Sequence, residues 1–327
     1  MENQGFSFVF FYVFQYNIII RKEKGDSHMK IIEKSVYKFD KSNEPVCHAE
    51  IGEVLTFKPM DCFSNRLTSE DMVITDILGT GTSTANPAAG PVYIDGAEPG
   101  DVLVVDILDI QVEPVGTIAT MSGCGPLGDV CEERSKKVPI IDGYAHFNQI
   151  RFPIDPMIGV IGTAPAGEPV VCGAPGLHGG NMDSKIIKKG VRLYFPVNVP
   201  GALLQMGDIH ATMGDAELCG TGIEIPGEII VKTSLIKNFE LHMPVTETAT
   251  HWWVNGCADE YNACLKLVSE ETARLIMNAT GWDLTDTYMY MSVQNDVQIN
   301  QACRPCNIEM ILRMGTPKIP ECKALIG

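Results

Sequence analysis

The sequence is poor in positive charge. It carries 25 Lys and Arg residues against 41 Asp and Glu residues, a formal net charge of -16 over 327 residues. Proteins that bind nucleic acid need clustered Lys and Arg side chains to neutralise phosphates, so this composition argues against a nucleic-acid partner. An acidic surface also repels anionic substrates at long range, and a neutral or cationic small molecule fits it better.

Several catalytic motifs are missing as well. The chain has no Gly-x-Ser-x-Gly nucleophile elbow, no His-Glu-x-x-His zinc helix and no Gly-x-x-x-x-Gly-Lys phosphate loop. The glycine loop at residues 79–82 precedes no helix-forming segment, which argues against a dinucleotide site. A thiol nucleophile at Cys124 would need a nearby base to form the thiolate, and the sequence offers none at close spacing.

The N-terminal apolar stretch is too short to cross a membrane. Residues 6–20 are interrupted by Gln15 and Asn17, and a transmembrane helix needs roughly 20 apolar residues. No basic residue precedes the stretch and no small-residue cleavage site follows it, which disfavours a signal peptide. We expect residues 1–28 to be a non-native or disordered extension, with Met29 as the start, and no membrane partner. A signal anchor is the alternative.

The eleven cysteines do not form a disulfide pattern, because their number is odd and their spacings are irregular. Cys62, Cys172 and Cys264 lie inside apolar segments, which is typical of buried free thiols. The close pair Cys303 and Cys306 has no second pair to complete a structural zinc site. Reduced thiols favour a cytoplasmic location.

From Met29 to about residue 250 the sequence has the pattern of short strands joined by tight turns. Residues 191–197 alternate between apolar and less apolar side chains, which predicts a half-buried strand, and Pro196 places it at an edge or a bulge. Residues 102–110 form a more continuous apolar run, which predicts a strand buried on both faces. These features predict a mainly β fold with a sandwich- or barrel-like body.

Helix signals concentrate in the last part of the chain. Ser269 and the two acids after it predict a helix start, and Gly281 predicts its end. Further helical stretches are expected at residues 255–267 and 284–291, and a final strand at 306–314. We therefore predict a β-rich body at residues 29–250, which carries the site, and a smaller α+β portion at 251–327 packed on it.

Two short stretches combine histidines, acids and glycines. Residues 178–183 are His-Gly-Gly-Asn-Met-Asp, and residues 207–217 are Gly-Asp-Ile-His-Ala-Thr-Met-Gly-Asp-Ala-Glu. A solvated surface gains nothing from this mixture, because glycine covers no core and costs backbone entropy. A cation or bound-water site requires hard oxygen ligands, a neutral imidazole and backbone that bends close to a small ligand. We predict that these stretches form the active site.

The second stretch contains a pair of ligand-type side chains. If residues 203–211 are extended, Asp208 and His210 point to the same face, where His210 is a ligand oriented by the acid. A buried histidine satisfied by an aspartate is the alternative for an isolated pair. Gly214 permits a sharp turn, and Asp215 and Glu217 offer two further carboxylates.

The first stretch is predicted to be a loop that contacts a substrate. The backbone amides of Gly179 and Gly180 would approach a substrate oxygen while Asp183 binds metal. The alternative is an ordinary loop with an exposed His178.

Other segments, taken with these two, resemble a known family. They are Asn86-Pro87, Gly90-Pro91-Val92 and residues 96–101, 105–109, 158–165, 194–197 and 222–224, all in family order. In these segments the chain resembles the acetamidase/formamidase family, and the resemblance covers about residues 30–315.

The resemblance implies a mostly β fold with an appended α/β element, oligomerisation, a divalent cation (zinc or calcium) and hydrolysis of small carboxamides to carboxylate and ammonia. The acids and the histidine of the family fall at Asp183, His210, Asp215, Glu217 and Glu224. Ala216 departs from the glycine that the family usually has between the two acids. A positive φ at this position would strain an alanine.

We therefore predict a metal-dependent hydrolase of small neutral linear amides, of the formamide and acetamide type, that forms a homodimer or higher homo-oligomer. Its cofactor is predicted to be Zn²⁺, with Ca²⁺ as the alternative. The predicted metal ligands are His210, Asp183, Asp215 and His178; the general base is Glu224 or Glu217; and the substrate and oxyanion contacts are Gly179, Gly180 and Asn181. The alternative function is a non-catalytic metal- or small-molecule-binding β protein of the same fold.

Overall fold

A computed structural model describes residues 30–78, 85–304 and 309–327. The predictions for residues 1–28, for the glycine loop at 79–82 and for Cys306 lie outside the described residues. The strands of the first half are β1 (Lys30–Ile32), β2 (Ser35–Val36), β3 (Lys38–Phe39), β4 (Cys47–Ala49), β5 (Val54–Phe57), β6 (Ala88–Ile94), β7 (Val102–Val112), β8 (Val115–Thr120), β9 (Arg134–Ile141), β10 (Tyr144–Phe147), β11 (Ile150–Pro153) and β12 (Met157–Gly162). The strands of the second half are β13 (Val170–Val171), β14 (Pro175–Gly176), β15 (Gly179–Asn181), β16 (Arg192–Pro196), β17 (Leu204–His210), β18 (Gly227–Ile236), β19 (Val245–Glu247), β20 (His251–Ala258), β21 (Asp296–Gln301) and β22 (Met310–Pro317). The helices are α1 (Ile74–Leu78), α2 (Tyr261–Thr280) and α3 (Leu284–Gln294).

Two large sheets pack face to face. The nine-stranded sheet has the order β1-β5-β18-β7-β16-β19-β20-β22-β21, and the seven-stranded sheet runs β14-β15-β12-β17-β6-β2 with β4 also paired to β6. Their facing sides share one apolar core, which contains Leu103 and Ile229 from the first sheet and Ile158 and Ile209 from the second. Strands account for 41% of the described residues and helices for 12%. The prediction of a mainly β, sandwich-like fold with a C-terminal helical portion is confirmed.

Strand β7 is apolar on both faces at its start because it lies between two apolar cores. Leu103 and Val105 belong to the core between the two sheets. Val102 and Val104, on the opposite face, belong to a second core beneath the helices, together with Leu275 of α2. Side chains alternate between faces along a strand, so a strand in the middle layer needs apolar residues at every position. The prediction of burial on both faces is confirmed for residues 102–105, whereas Asp106, Leu108 and Asp109 further along β7 are only half-buried.

Strand β16 differs from its prediction. Its sequence places Pro196 at an edge or a bulge, but β16 lies inside the nine-stranded sheet, between β7 and β19. Proline is tolerated there because β19 pairs only with residues Arg192 to Tyr194, so Pro196 has a strand partner on one side only. The missing N–H of proline therefore interrupts no ladder on the β19 side.

The helical prediction is partly wrong. Helix α2 begins at Tyr261, so Ser269 lies inside it and its hydroxyl donates to the Leu265 carbonyl four residues earlier. Residues 255–258 are not helical because they belong to β20 and pair with β22. Gly281 ends α2 in the left-handed conformation, as predicted, and α3 follows over the predicted segment.

The division into residues 29–250 and 251–327 stays a prediction. The nine-stranded sheet takes β20, β21 and β22 from the second part and its other strands from the first. A four-stranded sheet, β11-β10-β9-β8, contributes Val138 and Ala145 to the main apolar core. Within the described residues, none of the helices has the length and apolar character needed to cross a membrane.

Candidate active site

The site is built at the end of β17, where it lies beside β12. His210 is the last residue of β17, and its Nε2 lies 3.5 Å from Oδ1 of Asp208, which confirms that the two side chains share a face. Gly159 of β12 lies beneath this pair. A Cβ atom at Gly159 would lie 2.4 Å from Oδ2 of Asp208 and 2.5 Å from Oδ1 of Asp183. Glycine is therefore required there for the carboxylates to approach the sheet.

Four carboxylates surround the His210 ring. Its Nε2 lies 3.1 Å from Oε2 of Glu224, and the remaining oxygens belong to Asp208 at 3.5 Å and to Asp183 and Glu217 at 4.0 Å each. All five side chains are buried. Four acids around one imidazole place several carboxyl groups in the buried interior, and burial of charge is costly unless opposite charge is present.

The charges shift one another's protonation. Burial raises the pKa of Asp183 well above its usual range, and Glu217 and Asp208 raise it further. Burial also raises the pKa of Glu224, to about 8, although His210 opposes this. For His210, burial lowers the pKa, but the attraction of Glu224 and Asp208 outweighs it and places the pKa well above 6.5. A positive charge at this place would relieve the repulsion among the acids.

The donor atoms fit a divalent cation. Among the described residues, Asp183 Oδ1, Asp208 Oδ1 and Glu224 Oε2 are buried and have no hydrogen-bond partner. The ligand atoms of Asp183, His210 and Glu217 all lie within 4.8 Å of one another. The same holds for a neighbouring group of Cys62, Asp208 and Glu224. Imidazole nitrogen and carboxylate oxygen together suit zinc, and carboxylates also suit calcium.

The loop that carries Glu217 rests on β21. The backbone N–H of Ala216 donates to the Asn300 carbonyl, and the N–H of Ala302 donates to the Ala216 carbonyl. Ala216 has a φ of 77°, so the positive φ that the sequence raised as a source of strain is present. The Gln301 side chain then reaches Glu217, with Nε2 donating to Oε2 at 2.5 Å.

Asp215 lies outside this group of ligand atoms. Both of its carboxylate oxygens accept from Nη2 of Arg313, at 2.9 and 2.8 Å, and Lys185 pairs with Oδ2 at 2.9 Å. Arg313 itself is fully buried. Asp215 therefore anchors the loop to β22 through an ion pair.

The residues of the first stretch, 178–183, lie in different surroundings in the structure. Asp183 joins the carboxylates, whereas His178 packs edge-on against Phe39, with ring centroids 4.7 Å apart. His178 is buried rather than exposed, and burial lowers its pKa to about 4, so its ring is neutral. Gly179 and Gly180 belong to β15, between β12 and β14.

A model of the acetamidase/formamidase family matches residues 33–171 and 170–302. This chain belongs to the acetamidase/formamidase family.

Relatives with solved structures share most of the fold. The chain is 37% identical to a predicted acetamidase/formamidase from the thermophile Thermoanaerobacter tengcongensis, with a TM-score of 0.83 over 89% of this chain and 96% of that protein. An acetamidase from Bacillus halodurans is 35% identical, with a TM-score of 0.83 over 88% of this chain and 97% of that one. The formamidase of Methylophilus methylotrophus is 30% identical over 247 residues, which cover 57% of this chain and 60% of that enzyme. The chain thus spans less than two thirds of that formamidase's length.

Three residues at the site, Asn86, Cys62 and Gln301, have no functional role predicted from the sequence. Asn86 Nδ2 donates to Asp208 Oδ2 at 2.9 Å and to Asn181 Oδ1 at 3.1 Å, and its place in a family segment is the signal that points to it. Cys62 and Gln301 have no such signal. Gln301 is 118 residues from Asp183, so only the folded chain brings them together.

Proposed function

We propose that this protein is a metal-dependent hydrolase that cleaves the C–N bond of small linear amides, of the formamide and acetamide type, to carboxylate and ammonia. The observation that supports this is the buried His210 ring facing four carboxylates. The named relatives, which are formamidases and acetamidases, support the class of substrate.

The proposed cation ligands are Asp183, His210 and Glu217. Zn²⁺ is the first choice for this set and Ca²⁺ the alternative. When bound, such a cation supplies a Lewis acid and lowers the pKa of water. Asp215 and His178 are left out of the proposed set, because Asp215 is engaged by Arg313 and His178 packs on Phe39.

Glu224 is the proposed general base. Its Oε1 accepts a hydrogen bond from the Gly222 N–H at 2.8 Å, which fixes the carboxyl group and leaves Oε2 to the site. A carboxyl group with a pKa of about 8 is matched to proton transfer near neutral pH. Oε2 takes a proton from the attacking water and returns it to the amide nitrogen. The C–N bond then breaks, the water oxygen stays on the acyl carbon, and ammonia leaves.

Asn181, Gly179 and Gly180 remain the proposed substrate contacts. Asn181 is supported by its hydrogen bond to Asn86, which also holds Asp208 and so places this amide pair at the border of the carboxylates. Gly179 and Gly180 have φ values of 101° and 81°. Glycine adopts such positive φ values readily, so the backbone here can take a path that other residues would not favour.

The test is ammonia release from formamide, acetamide and propionamide. We expect release by the zinc-supplemented protein, loss with a chelator and recovery with added Zn²⁺. Glu224→Gln should lower kcat by about 100-fold or more, because the base is removed. Glu228→Gln, a half-exposed glutamate of β18 paired with Lys58, is the matched control and should leave kcat unchanged.

Two results would contradict the proposal. Full turnover by Glu224→Gln would remove the base from the scheme. A protein that binds zinc but releases no ammonia from any of the amides would support the non-catalytic alternative instead.

We further propose a homodimer or higher homo-oligomer in the cytoplasm. Exposed apolar side chains on α3, Leu284, Tyr288 and Val293, which are 60%, 67% and 73% exposed, support an association surface. Buried free thiols such as Cys62 and Cys172 support a reducing compartment. Light scattering of the purified protein tests the first point, and fractionation of cells tests the second.

A further inference from the structure

Gln301 stands between two of the proposed ligands. Its Nε2 donates to Oδ2 of Asp183 at 2.7 Å and to Oε2 of Glu217 at 2.5 Å. The side chain is buried, with 2% of its surface exposed. One amide group therefore satisfies one oxygen on each of two buried acids that would otherwise repel each other.

The oxygens that Gln301 leaves free are the ones that face His210. Oδ1 of Asp183 and Oε1 of Glu217 each lie 4.0 Å from His210 Nε2. Bonding to the outer oxygens fixes the rotation of both carboxyl groups, so that the inner oxygens and Nε2 converge on one point. Hydrogen bonds to the outer atoms of ligands are known to set ligand orientation and metal affinity.

The backbone of β21 fixes the position of Gln301. The pairing of β21 with β22 shifts register between Ile299 and Gln301. On its other side, β21 is bridged to Ala216, which is held by the hydrogen bonds to Asn300 and Ala302. The glutamine and the loop that carries Glu217 are thus held by the same strand.

We propose that Gln301 is a positioning residue that prearranges Asp183 and Glu217 as ligands for a divalent cation. The C-terminal part of the chain takes part in the site through this residue. The inference rests on the proposed function for the identity of the ligands, but it is a statement about metal affinity and is tested without turnover.

The test compares Gln301→Met with Gln205→Met. Methionine keeps the approximate size and removes the amide donors. Gln205 is an equally buried glutamine of β17, 1% exposed, that bonds to the Lys38 carbonyl and to the Cys172 sulfur rather than to the carboxylates. Zn²⁺ affinity is measured by competition with a chromophoric chelator, and melting temperature is measured in the metal-free state.

We expect Gln301→Met to bind Zn²⁺ about 10- to 100-fold more weakly than the unaltered protein, and Gln205→Met to bind it with unchanged affinity. At saturating Zn²⁺, Gln301→Met should recover most of its turnover with an unchanged KM for the amide. If Gln301→Met cannot be purified, Gln301→Asn takes its place, since its shorter side chain cannot reach both acids, and the same loss of affinity is expected.

Equal Zn²⁺ affinity in Gln301→Met and the unaltered protein would overturn the inference. An equal loss of affinity in Gln205→Met would also overturn it, because the effect would then follow from general disturbance of the core. Lack of ammonia release by the unaltered protein would refute the proposed function while the affinity comparison still decides the role of Gln301.

Discussion

Ala216 occupies a backbone conformation that suits glycine better than alanine. Its φ is 77°, and the next residue, Glu217, also has a positive φ, of 45°. The left-handed region costs an L-residue roughly 1–2 kcal/mol, because Cβ approaches the following carbonyl oxygen. The two hydrogen bonds from Ala216 to β21 hold this conformation, so the site loop carries backbone strain next to a proposed ligand.

Replacing Ala216 by glycine should relieve that strain. We expect Ala216→Gly to raise the free energy of unfolding by about 1 kcal/mol, since the gain in the folded state exceeds the entropy that glycine adds to the unfolded chain. Urea denaturation measures the change. Ala145→Gly, at a buried position in β10, should lower the free energy instead. A loss of stability in Ala216→Gly would contradict the argument.

For single residues, the sequence predicts spatial contacts only between side chains that are close together along the chain. Asp208 and His210 are two residues apart in a strand, so the pleat alone places them on one face. Asp215 is equally close in sequence to Glu217, but its position depends on Arg313, 98 residues later. A partner that distant cannot be predicted from local spacing, so the ion pair of Asp215 with Arg313 could not be predicted from the sequence.

Helix α2 is joined to the loop before β19 by a buried glutamate. Glu271 accepts from the guanidinium of Arg274 at 2.7 and 2.8 Å, from the backbone N–H of His242 at 3.1 Å, and its Oε2 lies 2.9 Å from the His242 ring. Burial raises the pKa of Glu271, but the hydrogen bonds to Arg274 and His242 outweigh it, so that the pKa lies below its usual 4.5. The ionised form is therefore the one that the fold stabilises.

The stability that Glu271 provides should depend on pH. A folded pKa below the unfolded value means that the contribution is complete above about pH 4.5 and is lost as the pH falls through the folded value. We expect Glu271→Gln to cost about 2 kcal/mol of unfolding free energy at pH 7, the usual size for hydrogen bonds to a charged group. Below the folded pKa the difference from the unaltered protein should shrink towards zero.

Urea denaturation across the pH range measures this difference. Glu270→Gln, at the neighbouring exposed position paired with Lys266, is the control and should show little effect at any pH. A cost for Glu271→Gln that does not change with pH would show that lost packing, rather than lost charge, is responsible.

The start of helix α2 could not be predicted from the sequence. Ser269 and its acids have the composition of a helix start, but the helix already runs through them from Tyr261. A serine inside a helix bonds back to the carbonyl four residues earlier, as Ser269 does to Leu265, and this leaves no mark in the sequence. Gly281 was predictable because the left-handed end of a helix strongly favours glycine.

Across the whole molecule, the site gathers residues from distant parts of the chain. Asp183, His210 and Glu217 come from the body, and Gln301 comes from the last strands. The first three could be predicted because they cluster in two stretches that match a family. Gln301 could not be predicted, since no motif surrounds it in the sequence.

A cation bound among these acids should stabilise the entire fold. Binding only to the folded state at 100 times Kd adds about 2.7 kcal/mol to the free energy of unfolding. For a chain of this size we expect the melting temperature to rise by roughly 4 °C when Zn²⁺ is added to the chelator-treated protein. Differential scanning fluorimetry measures the shift, with Mg²⁺ as the control cation. Identical melting with and without Zn²⁺ would contradict a zinc site.

The contact between Ala216 and β21 has a consequence for solubility. β21 is the last strand of the nine-stranded sheet, and such a strand offers bare amides and carbonyls to strands of other molecules. The backbone of Ala216 hydrogen-bonds to the Asn300 carbonyl and to the Ala302 amide, so these two groups of β21 are not available to strands of other molecules. The short loop that carries Glu217, a proposed metal ligand, thus also protects this edge of the sheet from pairing with strands of other molecules.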